Sequence, residues 1–195
     1  MKKPVKILIA ILIALVLGTA IGVGSAVYAY DAVTGARSIS NGPWQTNLAF
    51  GSVQAGPYVR TATAVHGLLA LNESETIYYS AYTDDNRQPL SSEFDYRIEG
   101  KTPDARWWSI TIYGSDDFLI ANQMNRYSCN ANNVTCDSSG KFTVYISKTQ
   151  KPGSWVPLGD QKKFFVTLRL YNPGQTIRNS PGAVELPRII REVSK

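Results

Sequence analysis

The sequence predicts a mostly β protein: an antiparallel β-sandwich of jelly-roll type with one short helix, preceded by a single N-terminal transmembrane helix. Three observations predict this fold. Residues 7–30 are predominantly apolar, five later segments alternate apolar and polar residues, and clusters of Gly, Pro, Asn, Asp and Ser separate those segments. Short alternating strands with regular turns favour two packed antiparallel sheets over an α/β sheet.

The first element is the N-terminal segment, residues 1–30, which we interpret as a transmembrane anchor or a signal segment. Residues 7–30 contain no charge and make roughly 36 Å of helix at about 1.5 Å per residue, enough to cross a bilayer. Lys2, Lys3 and Lys6 precede this stretch. The positive-inside rule therefore predicts a cytoplasmic N-terminus, an exported domain, and contact with the membrane through residues 7–30.

Cleavage of this segment is the alternative, because residues 24–26 and 27–29 offer small side chains at cleavage positions. The apolar region of a signal peptide is about 7 to 15 residues long, so the greater length here favours a retained anchor.

Small residues also recur at every fourth position of the segment, with Gly18 and Gly22 at its centre. Such a ridge lets membrane helices approach closely, which makes it a candidate homodimer contact.

The exterior is predicted to be one domain. Residues 31–43 contain Gly, Asn and Pro and are interpreted as a juxtamembrane linker, and residues 44–195 form the β-sandwich domain. Three of the 20 basic residues lie in the leader, which leaves 17 basic against 15 acidic residues. Because these charges are scattered rather than gathered on one face, we expect no nucleic-acid partner.

Within the domain, a helix is predicted first and strands follow. Residues 58–71 come after Gly56-Pro57 and place Val59, Ala62, His66 and Leu69 on one helical face. Period-two alternation then predicts five strands, bounded by turn clusters. The predicted strands are residues 77–82, 94–99, 107–113, 142–147 and 164–171.

Each alternating strand has one plainly apolar face, but the opposite face is not simply charged. It carries aromatic and hydroxyl side chains, which both stack and form hydrogen bonds. Strand propensity alone accounts for such residues if loops or the helix cover this face, and we favour that interpretation over a ligand platform. The residues concerned are Trp107, Ser109, Thr111, Tyr113, Thr143, Tyr145, Ser147, Phe165, Thr167, Arg169 and Tyr171.

Catalytic and cofactor motifs are not found in the sequence. Every Ser-His-Asp or Cys-His arrangement would need His66, the single histidine, which lies among apolar residues. Phosphate-binding glycine loops are absent. The adjacent acids Asp84-Asp85 and Asp116-Asp117 would point to opposite faces of a strand, and no calcium-loop spacing follows Asp84. We therefore expect no metal, no cofactor and no catalytic residue of a familiar kind.

The two cysteines, Cys129 and Cys136, enclose a short polar stretch. An exported domain is exposed to oxidising conditions, so we expect a disulfide that closes this loop. Zinc is the poorer alternative, because a structural site needs four ligands.

Several segments in the same order resemble the domain of unknown function 1214 family. The resemblance extends from about Trp44 to Ile190 and implies a jelly-roll β-sandwich in exported bacterial proteins, with no established reaction. It therefore places the domain in the periplasm, tethered to the inner membrane, or released there after cleavage. The segments are YVRTA (58–62), ETIYY (75–79), ARWWSITIY (105–113), FLIAN (118–122), NRYS (125–128), FTVYI (142–146), WVP (155–157) and FVTLRLY (165–171).

The family pattern also supplies candidate ligand-binding residues. Arg126 beside Tyr127 is suited to an anionic or sugar-like ligand, although pairing with an acid such as Asp116 would explain Arg126 structurally. We expect a non-catalytic envelope module that binds glycan or a partner protein, the alternative being an envelope glycan hydrolase that uses carboxylate or Arg and Tyr groups. The candidates are Arg60, Asn125, Arg126, Tyr127, Trp155 and Arg169.

Overall fold

The computed structural model describes residues 3–36, 38–65 and 70–192. A long N-terminal helix precedes a domain made mostly of strands. In chain order the elements are α1 (Lys3–Ala36), β1 (Ile39–Asn41), β2 (Trp44–Thr46), α2 (Pro57–Val65), β3 (Thr76–Ala81), β4 (Asp95–Lys101), β5 (Ala105–Gly114), β6 (Ser128–Asn130), β7 (Lys141–Ser147), β8 (Ser154–Pro157), β9 (Phe164–Pro173), α3 (Gln175–Asn179) and β10 (Arg188–Glu192).

The strands form two sheets. One has six strands in the order β1-β2-β3-β9-β5-β6, and the other has four in the order β10-β4-β7-β8. Neighbouring strands are antiparallel except β7 and β8, which run parallel. The mostly β prediction with two sheets is therefore confirmed, the four-stranded sheet is mixed, and the jelly-roll connectivity stays a prediction.

The core lies between the sheets, because alternation gives each long strand one apolar face. Trp108 of β5 stacks on Phe142 of β7 with ring centroids 4.6 Å apart, which joins the two layers. Each large side chain buried in this way contributes about 1.5 to 3 kcal/mol. The fully buried members include Trp44, Ile77, Tyr79, Tyr96, Ile98, Ile110, Ile112, Ile146, Leu168 and Leu170.

The five strands predicted from alternation are all present, with bounds within two residues of those expected. Helix α2 begins at Pro57, and Val59 and Ala62 are buried as the helical spacing predicts. Residues 66–69 of the predicted helix, including His66, lie outside the described residues. The helix α3 was not predicted.

Helix α1 continues six residues beyond Tyr30, and β1 begins at Ile39, so much of the predicted linker is helix and strand. Residues 3–32 form one helix long and apolar enough to cross a membrane, and its most apolar window is not buried against the domain. These are the properties of a membrane anchor and also of a signal sequence.

The expected disulfide is wrong, because Cys129 and Cys136 are both free thiols. Cys129 lies in β6 opposite Ile110 and is buried in the core. Cys136 is exposed and pairs through its backbone with Phe142 of the other sheet. Burial raises the pKa of the Cys129 thiol to about 11, with a small opposing effect of Arg126.

Candidate functional site

A cavity of about 220 Å³ lies on the outer face of the six-stranded sheet, the face turned away from the core. Strands β2, β3, β5 and β9 supply much of its wall, and the chain on either side of β2 and the turn after β5 complete it. We call it the outer-face cavity. Its lining consists of Ser38, Gln45, Thr46, Asn47, Phe50, Tyr78, Ser80, Tyr82, Tyr113, Asp117, Phe165, Thr167 and Arg169.

Register brings the polar residues of separate strands together. Tyr78 of β3 and Arg169 of β9 are opposite each other, as are Ser80 and Thr167. Tyr113 of β5 is opposite Phe165 of β9. Because neighbours in sequence point to opposite faces of a strand, the residues that flank these positions enter the core and leave the polar ones on the outer face.

One wall of the outer-face cavity is a row of three aromatic rings. Phe165 stacks on Tyr82, with ring centroids 5.0 Å apart, and on Tyr113, with centroids 5.4 Å apart. Burial raises the pKa of the Tyr82 hydroxyl, and the charge of Asp117 adds to this effect. Phe165 is therefore enclosed between its two neighbours, and Tyr82, which is 48% exposed, provides the accessible ring with a neutral phenol at the rim.

Arg169 is the cationic group of the described lining. Its Nη2 donates a hydrogen bond of 2.6 Å to the Tyr113 hydroxyl, and its guanidinium carbon lies 5.3 Å and 5.9 Å from the ring centroids of Tyr113 and Tyr78. None of the ion pairs among the described residues includes Arg169. Among the described residues, its positive charge is thus stabilised by aromatic rings rather than by a carboxylate.

Further hydrogen-bonding groups line the outer-face cavity beside Arg169. The hydroxyls of Ser80 and Thr167 are 3.4 Å apart, within hydrogen-bond distance. Asn47 accepts a hydrogen bond of 3.0 Å from the backbone N–H of Ala49, while its amide nitrogen is buried with no partner among the described residues. The outer-face cavity is therefore lined by hydroxyl groups as well as by a cation.

Of the six candidate residues from the sequence, the structure places Arg169 in the outer-face cavity and four others together elsewhere. Arg126 donates to the Trp155 carbonyl at 3.3 Å and lies 5.9 Å from the Trp155 ring centroid. The Tyr127 hydroxyl donates to the Asn125 side chain at 3.1 Å. Trp155 is buried, and its indole nitrogen donates to Ser147.

Arg126 and Arg60 both donate hydrogen bonds to backbone carbonyls. Arg126 is exposed, and its guanidinium donates a hydrogen bond to the Trp155 carbonyl. The Asp116 carboxylate accepts a hydrogen bond from the backbone N–H of Phe118. The suggested ion pair between Arg126 and Asp116 therefore does not form. Arg60, the sixth candidate, donates to the carbonyls of Ala55 and Val53 at 2.9 and 3.1 Å. These hydrogen bonds stabilise the loop before α2, and Arg60 is not among the lining residues of the outer-face cavity.

Several lining residues were missed as site candidates. Tyr78, Ser80 and Tyr82 share the outer phase of a strand whose alternation is plain, and that signal would have found them. Asn47 and Asp117 enter from loops and carry no periodic signal. The left-handed backbone of Asp117, with φ of 65°, reflects the tight turn after β5.

The described lining of the outer-face cavity supplies aromatic rings, hydroxyl groups, one cation and one carboxylate. Asp117 is the one carboxylate in the described lining of the outer-face cavity. A glycosidase of the usual kind needs two carboxyl groups that face each other across the bond to be cleaved. Within the described part of the chain, no three His, Cys, Asp or Glu side chains are grouped so that they would hold a metal ion.

The chain is similar to bacterial proteins of known structure. It is 27% identical to the VPA0106 protein from Vibrio parahaemolyticus over 72% of this chain and 36% of that one, with a TM-score of 0.60. An uncharacterized protein from Burkholderia cenocepacia is 14% identical over 60% of this chain and 30% of that one, with a TM-score of 0.45. The chain thus spans about a third of the length of both.

A search of curated proteins gave no match. The model of a family described as "Protein of unknown function (DUF1214)" matches residues 75–175, which run from β3 into α3 and contain Arg169. That span is half of the sequence and includes the central strands of both sheets. The chain therefore belongs to the DUF1214 family.

Proposed function

We propose that this chain is a membrane-anchored, periplasmic binding module whose outer-face cavity holds a small polar ligand without catalysing a reaction. The observation that carries this proposal is the cavity itself, in which the stacked row of Tyr82, Phe165 and Tyr113 faces hydroxyl and amide groups. Aromatic surface beside hydrogen-bonding groups suits a sugar ring or another envelope glycan fragment.

The proposal of an anchor rests on helix α1 and on its position beside the domain. Its apolar stretch follows three lysines, which favours a cytoplasmic N-terminus in the bacterial inner membrane. Helix α1 contacts α2, and Ser38, two residues after the end of α1, lines the outer-face cavity. In this arrangement one rim of the outer-face cavity lies close to the bilayer surface.

The turn after β5 supports the same placement. Phe118 and Leu119 follow Asp117 directly, and their side chains are 74% and 46% exposed. Large apolar side chains beside the end of a membrane helix are suited to the interfacial layer of a bilayer, where burial stabilises them. We therefore propose that this turn rests on the membrane.

The hydrolase alternative has less support from the geometry. It needs a second carboxyl group opposite Asp117, and the described lining offers Arg169 and tyrosine hydroxyls instead. A structural role, in which the domain docks a partner protein, does not account for the outer-face cavity. Binding of a small ligand uses the largest number of the observed features.

Nuclear magnetic resonance on the full chain in detergent micelles tests the binding proposal. Fragments of envelope glycan should shift the signals of Tyr113 and Arg169. Replacing Tyr82 by Ala should weaken binding roughly 2- to 13-fold, because one stacking contact contributes about 0.5 to 1.5 kcal/mol. Tyr58→Ala, which removes an exposed tyrosine of α2 outside the cavity, is the matched control.

Unshifted cavity signals, or equal affinities of the wild-type chain and Tyr82→Ala, would contradict the binding proposal. The anchor is tested separately by the mass of the mature protein isolated from membranes. Retention predicts a mass that includes residues 7–30, whereas a chain beginning after residue 26 or 29 would show a cleaved signal segment.

A further inference from the structure

We propose that the ligand of the outer-face cavity carries an anionic group, a carboxylate or a phosphate, and that Arg169 binds this group. The inference rests on the proposed binding function and names the chemical class of its ligand. It starts from the state of the guanidinium, which is half-buried in the cavity wall and has no carboxylate partner among the described residues.

The hydrogen bonds of Arg169 leave much of its capacity unused. A guanidinium has five N–H donors in a planar fork. The described side-chain contacts use one of them, in the bond from Nη2 to the Tyr113 hydroxyl. That bond and the rings of Tyr78 and Tyr113 fix the plane of the group, so the remaining donors are preorganised for a forked pair with two oxygens of one anion.

Asp117 does not neutralise this charge, although it lines the same outer-face cavity. Asp117 follows the end of β5 at Gly114, which is opposite Phe164 at the start of β9. Arg169 lies five residues further along β9, and none of the ion pairs among the described residues joins it to Asp117. The guanidinium charge is therefore not paired with this carboxylate in the described part of the chain.

The neighbours of Arg169 also favour a ligand with several hydrogen-bond acceptors. The hydroxyls of Ser80 and Thr167 donate as readily as they accept. A carboxylate or phosphate provides several acceptor oxygens, which satisfies these donors and the guanidinium together.

The aromatic row adds a requirement for shape. Phe165 is stacked between Tyr82 and Tyr113, so the accessible ring of this row is that of Tyr82, which is 48% exposed. A ligand with a ring and an attached anionic group would place the ring against Tyr82 and the anion at Arg169. An acidic sugar has this shape, which unites the glycan proposal with the unpaired arginine.

The test compares D-glucose, D-glucuronate and D-glucose 6-phosphate by calorimetry on the full chain in a nonionic detergent at low ionic strength. These probes share one ring and differ in the charged group, so they separate a carboxylate from a phosphate ligand. We expect at least one anionic probe to bind 10-fold or more tightly than glucose. Added salt should reduce this preference.

Variants then assign the preference to Arg169. Arg169→Gln should remove at least 90% of it and leave the affinity for glucose nearly unchanged. Arg169→Lys keeps the charge without the fork and should retain part of the preference, which also guards against a folding defect in the first variant. Arg178→Gln removes the same charge from an exposed position on α3 and should have no effect.

The outcomes separate the two proposals. Equal affinities for glucose and both anions would overturn the anionic ligand and leave the binding function intact. A preference that survives in Arg169→Gln would overturn the role of Arg169. If none of the three probes binds, both the anionic sugar and the proposed function are contradicted.

Discussion

Replacement of Asp84 by Ala should destabilise the domain by about 3 to 5 kcal/mol, because this carboxylate links the two sheets. Asp84 follows β3 of the six-stranded sheet and is 1% exposed. Its Oδ1 accepts hydrogen bonds of 2.9 Å from the backbone N–H groups of Asn86 and Gln88. Its Oδ2 lies 3.3 Å from Nε of Arg191, which belongs to β10 of the four-stranded sheet.

The magnitude follows from what the substitution leaves behind. Two backbone N–H groups lose their acceptor, at about 1 to 3 kcal/mol each. Arg191 also loses its carboxylate, but its side chain is 25% exposed and Nε makes no aligned hydrogen bond, so only part of the cost of a broken buried pair applies. Asp84→Asn keeps an acceptor oxygen and should cost about 1 to 2 kcal/mol.

Urea unfolding of the full chain in detergent, followed by tryptophan fluorescence, measures these differences. Trp44, Trp108 and Trp155 are buried, so unfolding changes their emission. Asp160→Ala removes an exposed acid and serves as the control. A loss below 1 kcal/mol for Asp84→Ala, or equal losses for Ala and Asn, would refute the reasoning.

Three further predictions concern other parts of the chain. Alkylation of the native protein should modify Cys136, while Cys129 should react only after unfolding, because burial raises its pKa to about 11; a chain with no reactive thiol before reduction would show a disulfide instead. Trp155→Phe should cost about 2 kcal/mol in urea unfolding, because Ser147 loses its indole donor, and an unchanged midpoint would contradict this role. Gly18→Ile should abolish cross-linked dimers in membranes, and a purely monomeric wild type would remove the small-residue contact.

The strands that the sequence predicts are those whose pattern is local. Period-two alternation over six or more residues has one explanation, a sheet with different faces, and it identified all five long strands. Strand β8 escapes this test because all four of its residues are buried, so it shows no alternation. Strand β10 has five residues and pairs with β4, which is far away in the chain, so nothing local marks it.

The disulfide prediction failed for the same physical reason. Cys129 and Cys136 are close in sequence, and this spacing, together with export to an oxidising compartment, predicted a bridge. Their positions are set instead by two distant partners, since β6 pairs with β5 of one sheet and Cys136 lies beside β7 of the other. Spacing within a loop does not determine which sheet each end joins.

Some residues of the candidate site could be predicted from the sequence, and others could not. Alternation places Tyr113, Thr167 and Arg169 on the face opposite the core, and two interpretations of that face were open, a covered surface or a ligand platform. The structure covers one part of this face and leaves a cavity at another. Thr167 is 3% exposed, while Tyr113 and Arg169 are half-buried beside the outer-face cavity.

The cavity depends on this partial cover. A bare sheet face would expose Arg169 to water, which screens its charge and competes for its donors. The chain on either side of β2 encloses the face with residues such as Asn47 and Phe50, and it carries no periodic pattern that would predict its path. The strands therefore determine which side chains line the outer-face cavity, and the irregular segment determines how far these side chains are shielded from water.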